Sequence, residues 1–335
     1  MSEQPLHRIY DTALLDLDGV VYTGPRAVEH AVDSLAVARK EGMRLAYVTN
    51  NASRTPQAVA GHLSELGIPA EPGDVITSAQ AAARLLAGMV PSGSAVLVIG
   101  GEGLLEAVRE RGLLPVRSLD EGPAAVVQGF DPSVGWQQLA EASYAVAQGL
   151  PWVASNTDLT IPTARGTAPG NGMLVAAVRT ATGVEPEVAG KPLPPMHRET
   201  VIRTGAKRPL VVGDRLDTDI EGAFNGGVDS LLVFTGVCRP EELPEAPVKH
   251  RPTYLAADLR GLLRVQPALT AGAGGAHSCG GWTVSIVDGA LSLGGDRGAD
   301  RYDGLRALCA TAWAAADASG GTTPRWREAL AALGL

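Results

Sequence analysis

Short apolar runs alternate with amphipathic stretches along most of the chain. Ala13-Leu14-Leu15 is a buried-strand pattern that stops at Asp16, and Leu45-Ala46-Tyr47-Val48 repeats it. Between them, residues 28–41 predict a helix with Val28, Val32, Leu35 and Ala36 on one face. Residues 56–66 predict another, with Thr55 as N-cap, Pro56 in the first helical position and Gly67 closing it. The rhythm continues with strands at 95–99, 124–128, 152–154, 210–212 and 230–234. Helices are predicted at 102–111, 136–148, 173–182, around 196–204 and at 219–225. Strands and helices in this alternation predict an α/β fold built on parallel sheet. The Gly/Ala-rich segment 268–275 lacks periodicity and reads as part of a linker. Beyond it a strand at 282–287 and a helix at 302–316 are too little for an independent core. That piece is expected to dock on the rest of the chain or on another subunit.

Length and composition narrow the function. A chain of 335 residues is long for one hydrophobic core, so two domains plus an extension are expected. A net charge of −8 lacks the basic excess of a nucleic-acid binder, and 4% aromatic residues offer few stacking platforms. Cys238, Cys279 and Cys309 are odd in number and without CxxC spacing, which argues against a disulfide framework or zinc cage. A reducing, cytoplasmic setting fits them. The first ten residues show no signal-peptide pattern, and no run of about 18 apolar residues suggests a membrane span.

Four polar clusters follow apolar runs. The first is Asp16-Leu17-Asp18-Gly19-Val20-Val21-Tyr22. Two carboxylates at the carboxyl end of a parallel strand lie where open α/β sheets bind ligands, and oxygen donors at this density suit Mg²⁺. The second is Thr49-Asn50-Asn51, a hydroxyl and amides able to hold phosphate oxygens. The third is Gly190-Lys191-Pro192, a lysine pinned between glycine and proline and able to neutralise a phosphate. The fourth is Gly213-Asp214-Arg215-Leu216-Asp217-Thr218-Asp219-Ile220, in which Asp214 and Asp219 could face one cation. Each alone is also ordinary turn or cap chemistry. Their joint order is far more specific, and they are expected to meet around one divalent ion. Asp296, Asp300 and Asp303 do not fit a calcium loop and read as a solvated face.

These clusters, together with Val48-Thr49-Asn50-Asn51-Ala52-Ser53-Arg54, resemble the four signature motifs of the haloacid dehalogenase (HAD) superfamily phosphatases. The resemblance spans roughly residues 10–260 and is greatest to the group of p-nitrophenyl, NagD-type and phosphoglycolate phosphatases. Residues 154–162 and Pro169-Gly170-Asn171-Gly172 resemble that group's cap. The C-terminal end is similar to that of actinobacterial glycerol-3-phosphate phosphatases, which carry a degenerate acetyltransferase-like domain. The resemblance implies a Rossmann-like core from 1–83 and 186–264, an inserted α/β (type C2) cap at 84–185, a linker at 265–276 and a small α+β extension at 277–335. It further implies Asp16 as nucleophile, Asp18 as acid and base, and Mg²⁺ on Asp16, the Asp18 backbone carbonyl, Asp214 and Asp219. Thr49, Asn50 and Lys191 would bind the phosphoryl group, with Asn156, Asp158 and Arg165 as candidate cap contacts. An acid at Asp18 favours hydrolysis, since the superfamily's dehalogenases lack it. The implied substrate is a small phosphorylated metabolite: glycerol 3-phosphate first, then 2-phosphoglycolate or p-nitrophenyl phosphate. Phosphoryl transfer to a second sugar is the rival chemistry, a non-catalytic binding protein a more distant one, and a homodimer through the cap is an expected assembly. No nucleic acid or membrane partner is expected.

Overall fold

A computed structural model describes residues 4–163, 165–296 and 298–335. The chain divides into two compact units: Met1–Thr23, Ala27–Leu45 and Arg208–Leu335 form one, and Gly24–Arg26 with Ala46–Lys207 form the other. It is a mixed α/β protein with a Rossmann-like parallel core, as the alternating pattern predicts. Among the described residues no helix is long and apolar enough to cross a membrane.

In the first unit the strands Thr12–Leu15, Pro209–Gly213, Asp229–Val233 and Tyr254–Ala256 lie side by side and parallel. Leu14 stands opposite Val211, and Val211 opposite Ser230. Every residue of Thr12–Leu15 is buried, which is why that segment reads as an unbroken apolar run rather than an alternating one. The helix expected at 28–41 is shorter, Ala31–Lys40. His30 takes a left-handed φ of 65°, and the Val28 amide is drawn back to the Val21 carbonyl, so Val28 stays outside it. The buried face is Ala31, Ser34, Leu35 and Ala38, one stripe at helical spacing, and Ala36 faces solvent.

The C-terminal residues complete this unit. Thr270–Ala271, His277–Cys279, Trp282–Val287 and Ala290–Gly295 form an antiparallel sheet, followed by the helices Arg301–Ser319 and Arg327–Ala332. Part of the stretch that reads as linker is therefore an edge strand, with Thr270 paired to Ser278. Val287 pairs with Ala290 across Asp288-Gly289, both at positive φ (50° and 72°), a two-residue hairpin turn of the Asp-Gly kind. Trp282, Val284, Leu305, Leu308 and Leu330 share one hydrophobic core with Ile220, Leu232, Cys238 and Leu255. The extension docks on the rest of its own chain, as its size predicts. Asp303 is buried rather than solvated, and burial pushes its carboxyl up. Asp300 caps the Arg301–Ser319 helix through the Tyr302 amide.

The second unit holds a five-stranded parallel sheet in the order Glu187–Val188, Trp152–Ala154, Ala125–Gln128, Ala95–Ile99, Leu114–Val116. The helices Trp136–Ala147 and Asn171–Thr182 pack Ala142, Val146, Val175 and Val178 against Leu97, Ile99 and Val126. Tyr47, Val48 and Thr49 pair with the strand Val75–Thr77, which leads into the helix Ser78–Ala87. Thr77 caps that helix in a capping box with Gln80. The hairpin Thr160–Thr163 with Gly166–Pro169 completes the unit.

Candidate functional site

Two adjacent parallel strands of the first unit end in acids. Leu15 pairs with Val212, and the Asp16 amide donates to the Val212 carbonyl at 2.9 Å, so Asp16 and Asp214 leave the sheet at its carboxyl edge. Asp219 arrives from the wide helical turn Leu216–Ile220, where its carboxylate accepts the Arg215 amide at 3.2 Å. One carboxylate oxygen from each of Asp16, Asp214 and Asp219 lies within 4.8 Å of the others. Asp214 and Asp219 are buried, and Asp16 is half-buried.

Bringing three like charges this close is costly unless a cation shares them. Carboxylate oxygens are the hard donors that Mg²⁺ takes, so the donor set fits the expected ion. Glycines make the crowding feasible. A Cβ on Gly213 would sit 2.2 Å from the Asp219 Cβ, and one on Gly236 would sit 1.9 Å from the Asp214 carboxylate. Asp18 is exposed, and its carboxylate is not in this group of three.

The segment that braces Asp214 lies outside the four polar clusters. The Val237 amide donates to the Asp214 carboxylate at 2.7 Å, and the Cys238 amide to its carbonyl at 3.0 Å. The Thr235 hydroxyl donates to the Gly19 carbonyl at 2.5 Å. Thr235-Gly236 follows the apolar run 230–234, so the same strand-then-polar signal was available there. Burial, with the nearby acids Glu242 and Asp214, pushes the Cys238 thiol up to about 12, so it is a neutral packing group. Burial raises Asp217, but its hydrogen bonds from Arg215 (2.8 and 3.0 Å) prevail and leave it below the usual carboxylate range.

The second unit gathers the other expected residues around Asn50. Its Oδ1 accepts the Lys191 amide at 2.8 Å, and its Nδ2 donates to the Lys191 carbonyl at 3.1 Å and to the Asp158 carboxylate at 3.2 Å. Its own carbonyl accepts from Asn156 Nδ2 at 2.7 Å and from Ser78 at 2.6 Å. Asn156 Oδ1 in turn accepts the Asp158 amide at 3.1 Å, and Asn171 donates to the Asn156 carbonyl. Asn50 and Asn156 thus fix the backbone around Lys191 and Asp158. Gly190 permits it, since a Cβ there would lie 2.7 Å from Asn50 Oδ1. Thr49 is buried and accepts the Asn51 amide, and the Lys191 ammonium donates to the Val48 carbonyl at 3.3 Å. Arg165 is exposed, with its amide on Thr163.

Comparison with known proteins gives these two clusters a context. Residues 13–114 match the haloacid dehalogenase-like hydrolase family, and 188–262 match the related HAD-hydrolase-like family. Residues 279–335 match a GCN5-related N-acetyltransferase like domain. The chain is 45% identical over 313 residues to the D-glycerol 3-phosphate phosphatase of Mycobacterium tuberculosis, covering 91% of this chain and 86% of that protein. It is 37% identical to the 5′-nucleotidase YutF of Bacillus subtilis, over 71% of this chain and 92% of that one. The crystal structure of the Mycobacterium tuberculosis glycerol phosphate phosphatase in complex with magnesium superposes with a TM-score of 0.88 at 42% identity, covering 99% of this chain and 98% of that one.

Proposed function

Because the chain belongs to the haloacid dehalogenase-like hydrolases, we propose that it is a magnesium-dependent phosphatase for a small phosphate monoester, with glycerol 3-phosphate as first candidate. The observation that carries this reading is the convergence of Asp16, Asp214 and Asp219 within 4.8 Å at the carboxyl edge of a parallel sheet. The 45% identity to a D-glycerol 3-phosphate phosphatase supports the substrate.

In this reading Asp16 attacks phosphorus and the bond to the ester oxygen breaks, leaving the phosphoryl group on the Asp16 carboxylate. Asp18 gives its proton to the departing alkoxide. It then takes a proton from the water that attacks the same phosphorus, and the bond to Asp16 breaks with release of inorganic phosphate. The exposure of Asp18 suits a group that must exchange protons. Mg²⁺ held by Asp16, Asp214 and Asp219 would supply the positive charge that lets an anionic nucleophile approach an anionic ester. Thr49, Asn50 and Lys191 bind phosphoryl oxygens, and the Asn50 side chain also holds the Lys191 backbone in place. Residues 84–185 serve as the cap that selects the leaving group, with Asp158 and Arg165 as its candidate contacts.

Phosphate release from glycerol 3-phosphate, 2-phosphoglycolate and p-nitrophenyl phosphate, without any added acceptor, tests the proposal. Turnover should stop in EDTA and return with Mg²⁺ but not with Ca²⁺, whose shell is larger and looser. Equal kcat/KM on all three substrates would remove the glycerol 3-phosphate assignment, and no phosphate release from any of them would remove the phosphatase.

A further inference from the structure

The C-terminal extension matches a GCN5-related N-acetyltransferase like domain over residues 279–335, yet its contacts point elsewhere. The ring of Tyr302, in the first turn of the Arg301–Ser319 helix, stacks on Phe234 with centroids 5.4 Å apart and planes 20° apart. Phe234 directly precedes the turn 235–238, in which Thr235 bonds Gly19 and Val237 and Cys238 bond Asp214. Further along the same segment, Trp313 Nε1 donates to the Leu243 carbonyl at 2.8 Å and Trp326 Nε1 to Glu245 at 3.0 Å. Arg251 forms a two-pronged pair with Asp317 at 2.7 and 2.8 Å and lies over the Trp313 ring. Ile220, next to Asp219, and Leu216, at the start of the Asp219 turn, pack into the same core as Leu305 and Leu308. The extension therefore grips both backbone segments that present Asp214 and Asp219.

We infer that the extension is a positioning element for the acid cluster: through Tyr302 and Phe234 it sets the 234–238 turn that aims Asp214. It acts as a metal site's outer supports do, by fixing the orientation of groups that would otherwise swing. The inference rests on the reading of Asp16, Asp214 and Asp219 as a Mg²⁺ site.

The test compares Tyr302→Ala with Tyr302→Phe, which keeps the ring and loses only the hydroxyl. Titration calorimetry with MgCl₂ on the full-length protein reads the affinity. Tyr302→Ala should weaken Mg²⁺ binding roughly tenfold, the low end for loss of an outer support, while Tyr302→Phe stays within about twofold of the parent. Amide hydrogen exchange in the metal-free protein supplies a second readout, in which Val237 and Cys238 should exchange faster in Tyr302→Ala alone. Unchanged affinity and unchanged exchange in Tyr302→Ala would overturn the inference, as would an equal loss in both variants. If the parent binds no Mg²⁺, the metal reading fails, and the exchange measurement still decides whether Tyr302 sets the 234–238 turn. Should Tyr302→Ala not fold, Trp313→Phe, which removes one hydrogen bond to the same segment, carries the same comparison.

Discussion

Two regions of this molecule bury carboxylates, and they do so in opposite ways. In the second unit Glu199 is fully buried and meets the guanidinium groups of Arg84, Arg111 and Arg203, the Arg111 contact at 2.7 Å. Arg203 also reaches Glu110 at 2.8 Å. Burial raises the Glu199 carboxyl, but the arginines prevail and hold it below the usual range. In the first unit Asp16, Asp214 and Asp219 converge with one another. The first arrangement neutralises a buried charge with permanent cations and serves structure. The second brings one carboxylate oxygen from each of three acids together at a sheet edge, a donor set that suits an exchangeable cation beside a nucleophile. Substitutions that break one should leave the other intact.

Asp16→Asn should have the largest effect. It removes the nucleophile, and kcat should fall by at least about 10³-fold, since reacting groups of this kind are not replaced by their amides. Circular dichroism and thermal melting should stay near those of the parent. Activity within tenfold of the parent would show that Asp16 does not take the phosphoryl group.

Glu199→Gln should spare kcat and cost stability. Breaking a buried ion pair costs about 3–5 kcal/mol, and the partial exposure of the three arginines argues for the low end of that range. The pH dependence has a definite sign. A carboxyl whose folded pKa is lowered stabilises above its ordinary value, 4.5, and that contribution is lost as pH falls through the folded pKa. Chemical denaturation across the acid range should show a steep loss for the parent and a flatter one for Glu199→Gln. Parallel curves would mean that the arginine cluster does not hold Glu199 ionised.

Asn50→Ala tests the cradle around Lys191. It removes the side-chain bonds to both backbone groups of Lys191 and to Asp158. A lysine displaced by an ångström can cost up to about 10²-fold in rate, so kcat should fall ten- to a hundredfold. Mg²⁺ affinity should hold within about twofold, because the acids lie on other segments. A large loss of Mg²⁺ affinity would break the separation between the two clusters.

Much of this was legible in sequence, and what was not has a physical reason. Asp16 and Asp214 could be found because a buried strand, a terminal acid and a nearby glycine are local to one stretch of chain. Asn50 could be located as polar, but not assigned to scaffolding, because its partner Lys191 stands 141 positions away. Glu199 looks like any helical glutamate, and its arginine partners at Arg84 and Arg111 are 115 and 88 positions distant. The helix start at His30 was hidden because its left-handed φ reflects a local turn that apolar periodicity does not encode. The strand Val75–Thr77 was missed because its apolar run is only Val75-Ile76, between the polar Asp74 and Thr77. In the extension, Asp288-Gly289 was a readable hairpin signal, whereas the burial of Asp303 depends on where the helix packs.

Asp219→Asn gives the smallest effect and the sharpest form of the comparison. Removing one of three clustered charges relieves repulsion, and the amide oxygen can still accept the Arg215 N–H. Like charges at such separations repel by a few kcal/mol at most at an effective dielectric near 20, and the half-exposure of Asp16 lowers that further. Metal-free Asp219→Asn should therefore be more stable than the metal-free parent by about 1 kcal/mol, and its melting temperature should respond less to added Mg²⁺. Neutralising Glu199 works in the reverse direction, because there the charge is what its surroundings are built to hold. If Asp219→Asn instead destabilises the metal-free protein, Asp219 is held by its surroundings as Glu199 is, and the cluster owes its shape to the protein rather than to the ion it would carry.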